Sequence, residues 1–128
     1  MTKVDDIQER LIQFADKIVT LCDTLPPTTT AEHIAAQLLR STITPALNFI
    51  EARLAETSAE TIDNLRIAVV ALTESDLWLR SIIAGDMLSP DTLAPLITDC
   101  QQLQRILIAG INYSSKPATA DHQPPTID

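Results

Sequence analysis

The sequence predicts an all-α chain folded as an antiparallel, up-down-up-down four-helix bundle. Apolar residues recur with a helical three-to-four spacing in four successive segments. Only two glycines occur in 128 residues, too few for the many tight turns of a sandwich or barrel. Eight prolines gather near the proposed helix ends and in the last residues, apart from Pro45 and Pro95. The composition, 45% hydrophobic and 20% charged, is that of a globular chain. One domain of this length buries a core without metal or disulfide staples.

Helix 1 is expected from about Val4 to Leu25. Val4, Ile7, Leu11, Phe14, Ile18, Leu21 and Leu25 form an a/d seam along one face. Burial of such a seam contributes on the order of 10–20 kcal/mol gross. Ordering the backbone costs about 1–2 kcal/mol per residue, a larger sum, so the helix needs partners. Pro26-Pro27 should end it, because proline donates no backbone hydrogen bond.

Helix 2 is expected to begin at Thr29 or Thr30, with Thr29 and Glu32 as a capping box, and to run to about Ala55. Pro45 in its middle should kink it, eased by the hydroxyls of Ser41 or Thr42. Helix 3 should start at Thr57 or Ser58 with a second capping box, Thr57 and Glu60, and end near Gly85 as a left-handed terminus. Ile62, Leu65, Val69, Leu72 and Leu79 form one stripe. Ile67, Val70, Leu77, Trp78 and Ile82 spread over neighbouring faces, more apolar circumference than a single bundle core uses. Helix 4 should take Ser89 as N-cap and Pro90 as its first residue. It buries Leu93, Leu96, Cys100, Leu103 and Leu107, is distorted at Pro95, and ends near Gly110 or Asn112. The bundle would then occupy residues 1–112, followed by a polar, proline-containing tail, 113–128, whose composition predicts disorder.

The net charge of −8 works against a phosphate backbone, and no Lys/Arg run is present. Four aromatic residues, Phe14, Phe49, Trp78 and Tyr113, are too few for a base-stacking platform. An anionic membrane surface would repel the chain, and no apolar stretch approaches the ~20 residues of a membrane span. The first ten residues contain no apolar signal-peptide core. Cys22 and Cys100 sit in apolar runs and read as buried free thiols of a cytoplasmic protein. A disulfide between them would require helices 1 and 4 to bring them together.

No catalytic set, metal site or cofactor site is expected. The two histidines, His33 and His122, lack the Glu-x-x-His partners of a bundle di-iron centre and are too few for zinc or haem. Without a histidine base the serines and threonines make no triad, and no glycine-rich phosphate cradle occurs. The notable polar positions lie on helices 2 and 3. The candidate interface or polar-seam residues are Arg40, Pro45, Asn48, Glu51, Arg66, Asp76 and Trp78. Their plainer reading is hydrogen bonds and ion pairs that set helix register. The sharper one is a subunit interface, or a ligand groove opened by a kink near Pro45, Asn48 and Glu51.

The run Arg40-Ser41-Thr42-Ile43-Thr44-Pro45-Ala46-Leu47-Asn48-Phe49-Ile50-Glu51-Ala52 resembles the R-S-x-x-S-P-A-x-N-x-x-E-A signature of the bacterial four-helix-bundle proteins encoded within 23S rRNA intervening sequences. Ala55-Glu56-Thr57 is similar to the A-E-S that follows it there. Ile67, Leu72, Asp76, Trp78 and Leu79 match that family's helix 3 in kind, and Leu88-Ser89 matches its helix 4 start. The likeness spans roughly residues 5 to 111. Asn64 stands where lysine is common, Ala71 and Thr73 flank the site of a Lys-Glu pair, and Ile50 replaces a frequent glycine. The resemblance implies a four-helix protomer assembled as a pentameric ring. Its basic members imply a nucleic-acid connection, as accessory subunits of diversity-generating retroelements. The expected function is therefore a non-enzymatic, cytoplasmic homo-oligomeric scaffold or adaptor. The alternative is a nucleic-acid-binding accessory protein, with Arg40, Arg53, Arg66, Arg80 and Arg105 gathered on one surface.

Overall fold

The computed structural model describes residues 2–116. Its four helices are α1 (Lys3–Cys22), α2 (Thr29–Leu54), α3 (Ser58–Ala84) and α4 (Pro90–Ser114), and no strand occurs among the described residues. Each helix starts on a hydroxyl that accepts a backbone N–H left free in its first turn. At α1 this is Thr2, in a full capping box with Asp5: the Asp5 N–H donates to Thr2 Oγ1 and the Thr2 N–H to Asp5 Oδ2, both at 3.1 Å. The Thr2 backbone bond holds the Asp5 carboxyl below the usual carboxylate range.

Several helix ends differ from expectation. Helix α1 stops at Cys22, before Leu25. Pro26 disfavours a helical conformation at Leu25, and the Thr24 hydroxyl donates to the Leu21 carbonyl at 2.7 Å. The N-cap of α2 is Thr28, whose Oγ1 accepts from Ala31 N–H at 3.1 Å, so the Thr29–Glu32 box does not form. Three successive threonines offer the same chemistry, and sequence spacing alone does not choose among them. At α3, Thr57 caps Glu60 N–H, but the Glu60 carboxylate accepts from Glu56 N–H. That box is half formed.

The end of α3 is a Schellman motif placed one residue later than expected. Gly85 has φ −85°, and Asp86 takes the left-handed conformation with φ 54°. Met87 N–H bonds the Ile82 carbonyl and Asp86 N–H the Ile83 carbonyl, the paired bonds of that motif. Helix α4 continues through Gly110 to Ser114, beyond the predicted stop. Ile111 packs on the core, and the Gly110 Cα faces Leu65 closely enough that a Cβ would lie 3.4 Å from Leu65 Cδ1. Core packing of buried Leu107 and partly buried Ile111 offsets the roughly 1 kcal/mol propensity cost of a mid-helix glycine. Of the expected tail, Tyr113 and Ser114 belong to α4, and 117–128 lie outside the described residues.

The predicted seams of α1, α3 and α4 supply most of the core, joined by Leu38 of α2, to which the periodicity assigns no seam, and by Ile82 of α3, which it places on a neighbouring face. Leu11, Phe14 and Ile18 of α1, Leu38 of α2, Leu72, Leu79 and Ile82 of α3, and Leu93, Leu103 and Leu107 of α4 are almost fully buried. Helix α2 packs on α1 and α3, and α4 on α3 and α1. Bonds between α2 and α3 run in opposite chain directions: Ser41 meets Ser75, while Thr61 Oγ1 donates to the Ala52 carbonyl. The α2–α3 pair is the most closely packed, and small residues line its buried faces: Ala31, Ser41 and Ala52 on α2, and Ala68, Ala71 and Ser75 on α3.

Helix α2 is continuous through Pro45. The hydroxyls of Ser41 and Thr42 donate to the Leu38 and Leu39 carbonyls, a turn before the carbonyl that Pro45 leaves without its helical donor. Ser41 Oγ and Ser75 Oγ lie 2.9 Å apart, both buried, and Ser75 Oγ also reaches the Ala71 carbonyl at 2.9 Å. Two hydroxyl protons serve three contacts. One serine therefore donates across the helix pair while the other donates to its own helix.

Two stability measurements follow. Ser41→Ala and Ser75→Ala should each cost ~0.5–1.5 kcal/mol in urea unfolding, and the double variant less than their sum, because both single changes remove the same cross-helix bond. Asp86→Gly should stabilise the protein by about 1 kcal/mol, since glycine adopts the left-handed conformation without the Cβ penalty. A destabilised Asp86→Gly variant would contradict the assignment of that residue as the helix terminus.

Candidate interaction surface

Helices α2 and α3 each carry a second apolar stripe on the side away from the core. On α2 it comprises Ile43, Leu47 and Leu54, and on α3 Ile67, Val70 and Leu77. At 3.6 residues per turn each stripe falls within an arc of roughly 80°. Leu54 is 77% exposed, Val70 69% and Leu77 62%. Arg40 lies in line with the first stripe and Glu74 with the second, and Arg40 Nη2 sits 3.5 Å from Glu74 Oε1. That ion pair spans the seam between the helices, so the two stripes flank it on one outer face. The apolar area they expose is on the order of 600 Å², at the top of the range for the largest patch on a monomer.

Glu74 organises the seam. Its Oε1 accepts from Arg40 and, at 3.4 Å, from Trp78 Nε1. Trp78 is half-buried and meets the ring of His33 edge-on at 6.2 Å. Arg40 also donates to Gln37 on its own helix. Two candidate residues, Arg40 and Trp78, are thus joined through Glu74. The other candidates lie elsewhere. Pro45 is buried, and the half-buried Asn48 donates its side-chain amide to the Thr44 carbonyl at 3.1 Å, within its own helix. Glu51 and Arg66 are exposed.

Asp76 belongs to the α3–α4 side. It accepts from Arg80 Nε at 3.1 Å and lies near Cys100. The Cys100 thiol donates to the Leu72 carbonyl at 3.1 Å and is pushed up to about 12, first by burial and then by the Asp76 charge. Cys100 is therefore an inert core thiol at neutral pH. Cys22, half-buried, is also free, and burial raises its thiol as well.

A shallow cleft of about 320 Å³ opens at the end of the bundle where α1 begins, lined by Val4, Phe49, Ala52, Arg53, Ala55, Thr61 and Leu65. Pro45, Asn48 and Glu51 do not line it. Arg53, its one charged wall residue, already engages Asp5 at 3.0 Å and Gln8 at 2.8 Å. Among the described residues no group of three or more His, Cys, Asp or Glu side chains is placed to hold a metal, and no helix is long and apolar enough to cross a membrane.

The sequence pattern of the 23S rRNA-intervening sequence protein family matches residues 5–109. A crystal structure of a protein of unknown function from the S23 ribosomal protein family of Bacteroides thetaiotaomicron VPI-5482 superposes with a TM-score of 0.80 at 25% identity, covering 87% of this chain and 99% of that one. A search of curated proteins found no match. The helix 2 signature, the four-helix architecture and the matched span agree, and the chain belongs to the 23S rRNA-intervening sequence protein family.

Proposed function

We propose that this protein is a non-enzymatic homo-oligomeric scaffold of the cytoplasm, a ring of five copies in which the outer α2–α3 face is buried against neighbours. The exposure of six large apolar side chains on that one face carries the reading. An interface of standard size buries ~800 Å² per partner, about half of it apolar, so one stripe, with about half of the exposed apolar area, supplies most but not all of what one such interface needs. A closed ring of five is heterologous: each copy must offer two different strips to its two neighbours. The α2 and α3 stripes, on either side of the Arg40–Glu74 pair, are two such strips. The pentameric number itself follows the family resemblance.

Nucleic-acid binding is the competing reading, and the surface works against it. Arg40, Arg53 and Arg80 each lie against a carboxylate, Glu74, Asp5 and Asp76 respectively. A phosphate would have to displace those partners on a chain of net charge −8.

Light scattering on the purified protein should give about five times the 14.0 kDa protomer mass. Leu47→Glu and Val70→Glu should each reduce that mass with helicity retained, because both side chains are exposed in the folded protomer. A concentration-independent mass of one protomer would refute the assembly. Structured RNA at ~50 mM salt should show no binding, and binding that weakens steeply as salt rises would favour the nucleic-acid reading instead.

A further inference from the structure

Helix α1 is attached differently from the other three. It packs less closely on α2 than α2 does on α3 or α3 on α4, its approach to α4 is the sparsest of the four helix–helix interfaces, and it does not pack on α3. Its connection, residues 23–28, is the longest of the three and contains Pro26-Pro27, so no continuous helix couples it to α2. No residue of its first two turns is buried. Apart from Arg10 donating to Gln102 at 3.0 Å, its side-chain bonds to the rest of the bundle converge on two charged residues. Asp99 of α4 receives Arg10 at 3.1 Å and Lys17 at 3.5 Å, and Arg53 of α2 holds Asp5 and Gln8. The cleft beside Val4 lies at the same end.

We infer that α1 is a separately opening arm. It swings out as one unit about residues 23–28 while α2, α3 and α4 stay packed, and opening exposes its seam of Leu11, Phe14 and Ile18. The small-residue α2–α3 pair and the α3–α4 contacts do not involve α1, so its release leaves them intact. Opening breaks partly exposed ion pairs, which contribute little each and are screened by salt. The apolar seam is what holds the arm closed.

Amide hydrogen exchange on the full-length wild-type protein tests this. The fully buried centre of α1, Leu11 to Ile18, is the segment to follow, because end-fraying does not reach it. Its amides should exchange together, roughly tenfold or more faster than those of Leu72 to Leu79 in α3, and with a weaker dependence on urea, as for a sub-global opening. Ser75→Ala weakens the α2–α3 pair, which stays formed when the arm opens, so it should accelerate exchange in α3 several-fold and leave that of α1 unchanged. Equal rates and equal urea dependence in α1 and α3 would overturn the inference. So would a Ser75→Ala variant that accelerates both helices alike, since the only opening would then be global unfolding.

Discussion

The close pairing of α2 with α3 is the constraint on which the rest of this structure depends. Two long helices approach closely only if the residues between them are small, and here alanine and serine line the buried faces. Those small side chains contribute little apolar area themselves. They place Leu38, Leu72 and Leu79 within reach of the seams on α1 and α4. The serine pair adds direction, because the bond between its two buried hydroxyls forms only in one register of the two helices. The same pairing sets the outer surface: it holds Arg40 beside Glu74 and brings two apolar stripes to one face.

The electrostatics of the protomer are local. The cross-helix carboxylates Asp5, Glu74 and Asp99 each have a cationic neighbour on an adjacent helix. Two groups with reactive or charged side chains are engaged or enclosed. Cys100 is buried against the Leu72 carbonyl, and Arg53 is held by Asp5 and Gln8. The conspicuous feature of the outside is apolar, and it is on this feature that the proposed interaction surface rests.

Much of this was legible in the sequence because helical periodicity and burial are the same information. The seams Leu11–Phe14–Ile18 and Leu93–Cys100–Leu103–Leu107 are both read and observed in the core. Helix ends were less legible, since several residues can satisfy the same free backbone groups. Thr28 rather than Thr29 caps α2, and Asp86 rather than Gly85 turns left-handed after α3. The excess apolar circumference of α3 was visible, and Ile67, Val70 and Leu77 carry it. The α2 stripe was harder to isolate: Ile43, Leu47 and Leu54 are interleaved with buried Ala46 and Phe49, and only the fold separates the two sides. Asp76 illustrates the reverse. It stands on an apolar stripe in sequence, yet its own helix gives it Arg80, one turn on, as a partner.

Solvent access to Val70 in the assembled protein tests the central claim most directly. Val70 is 69% exposed on the isolated protomer, and Asp91, at the start of α4, is also exposed and belongs to neither stripe. Thiols introduced as Val70→Cys and Asp91→Cys can be alkylated side by side under native conditions. A buried α2–α3 face predicts that the Val70→Cys thiol is protected by tenfold or more relative to the Asp91→Cys thiol, on the order expected for a site that reacts only after dissociation. Equal labelling of the two would contradict it.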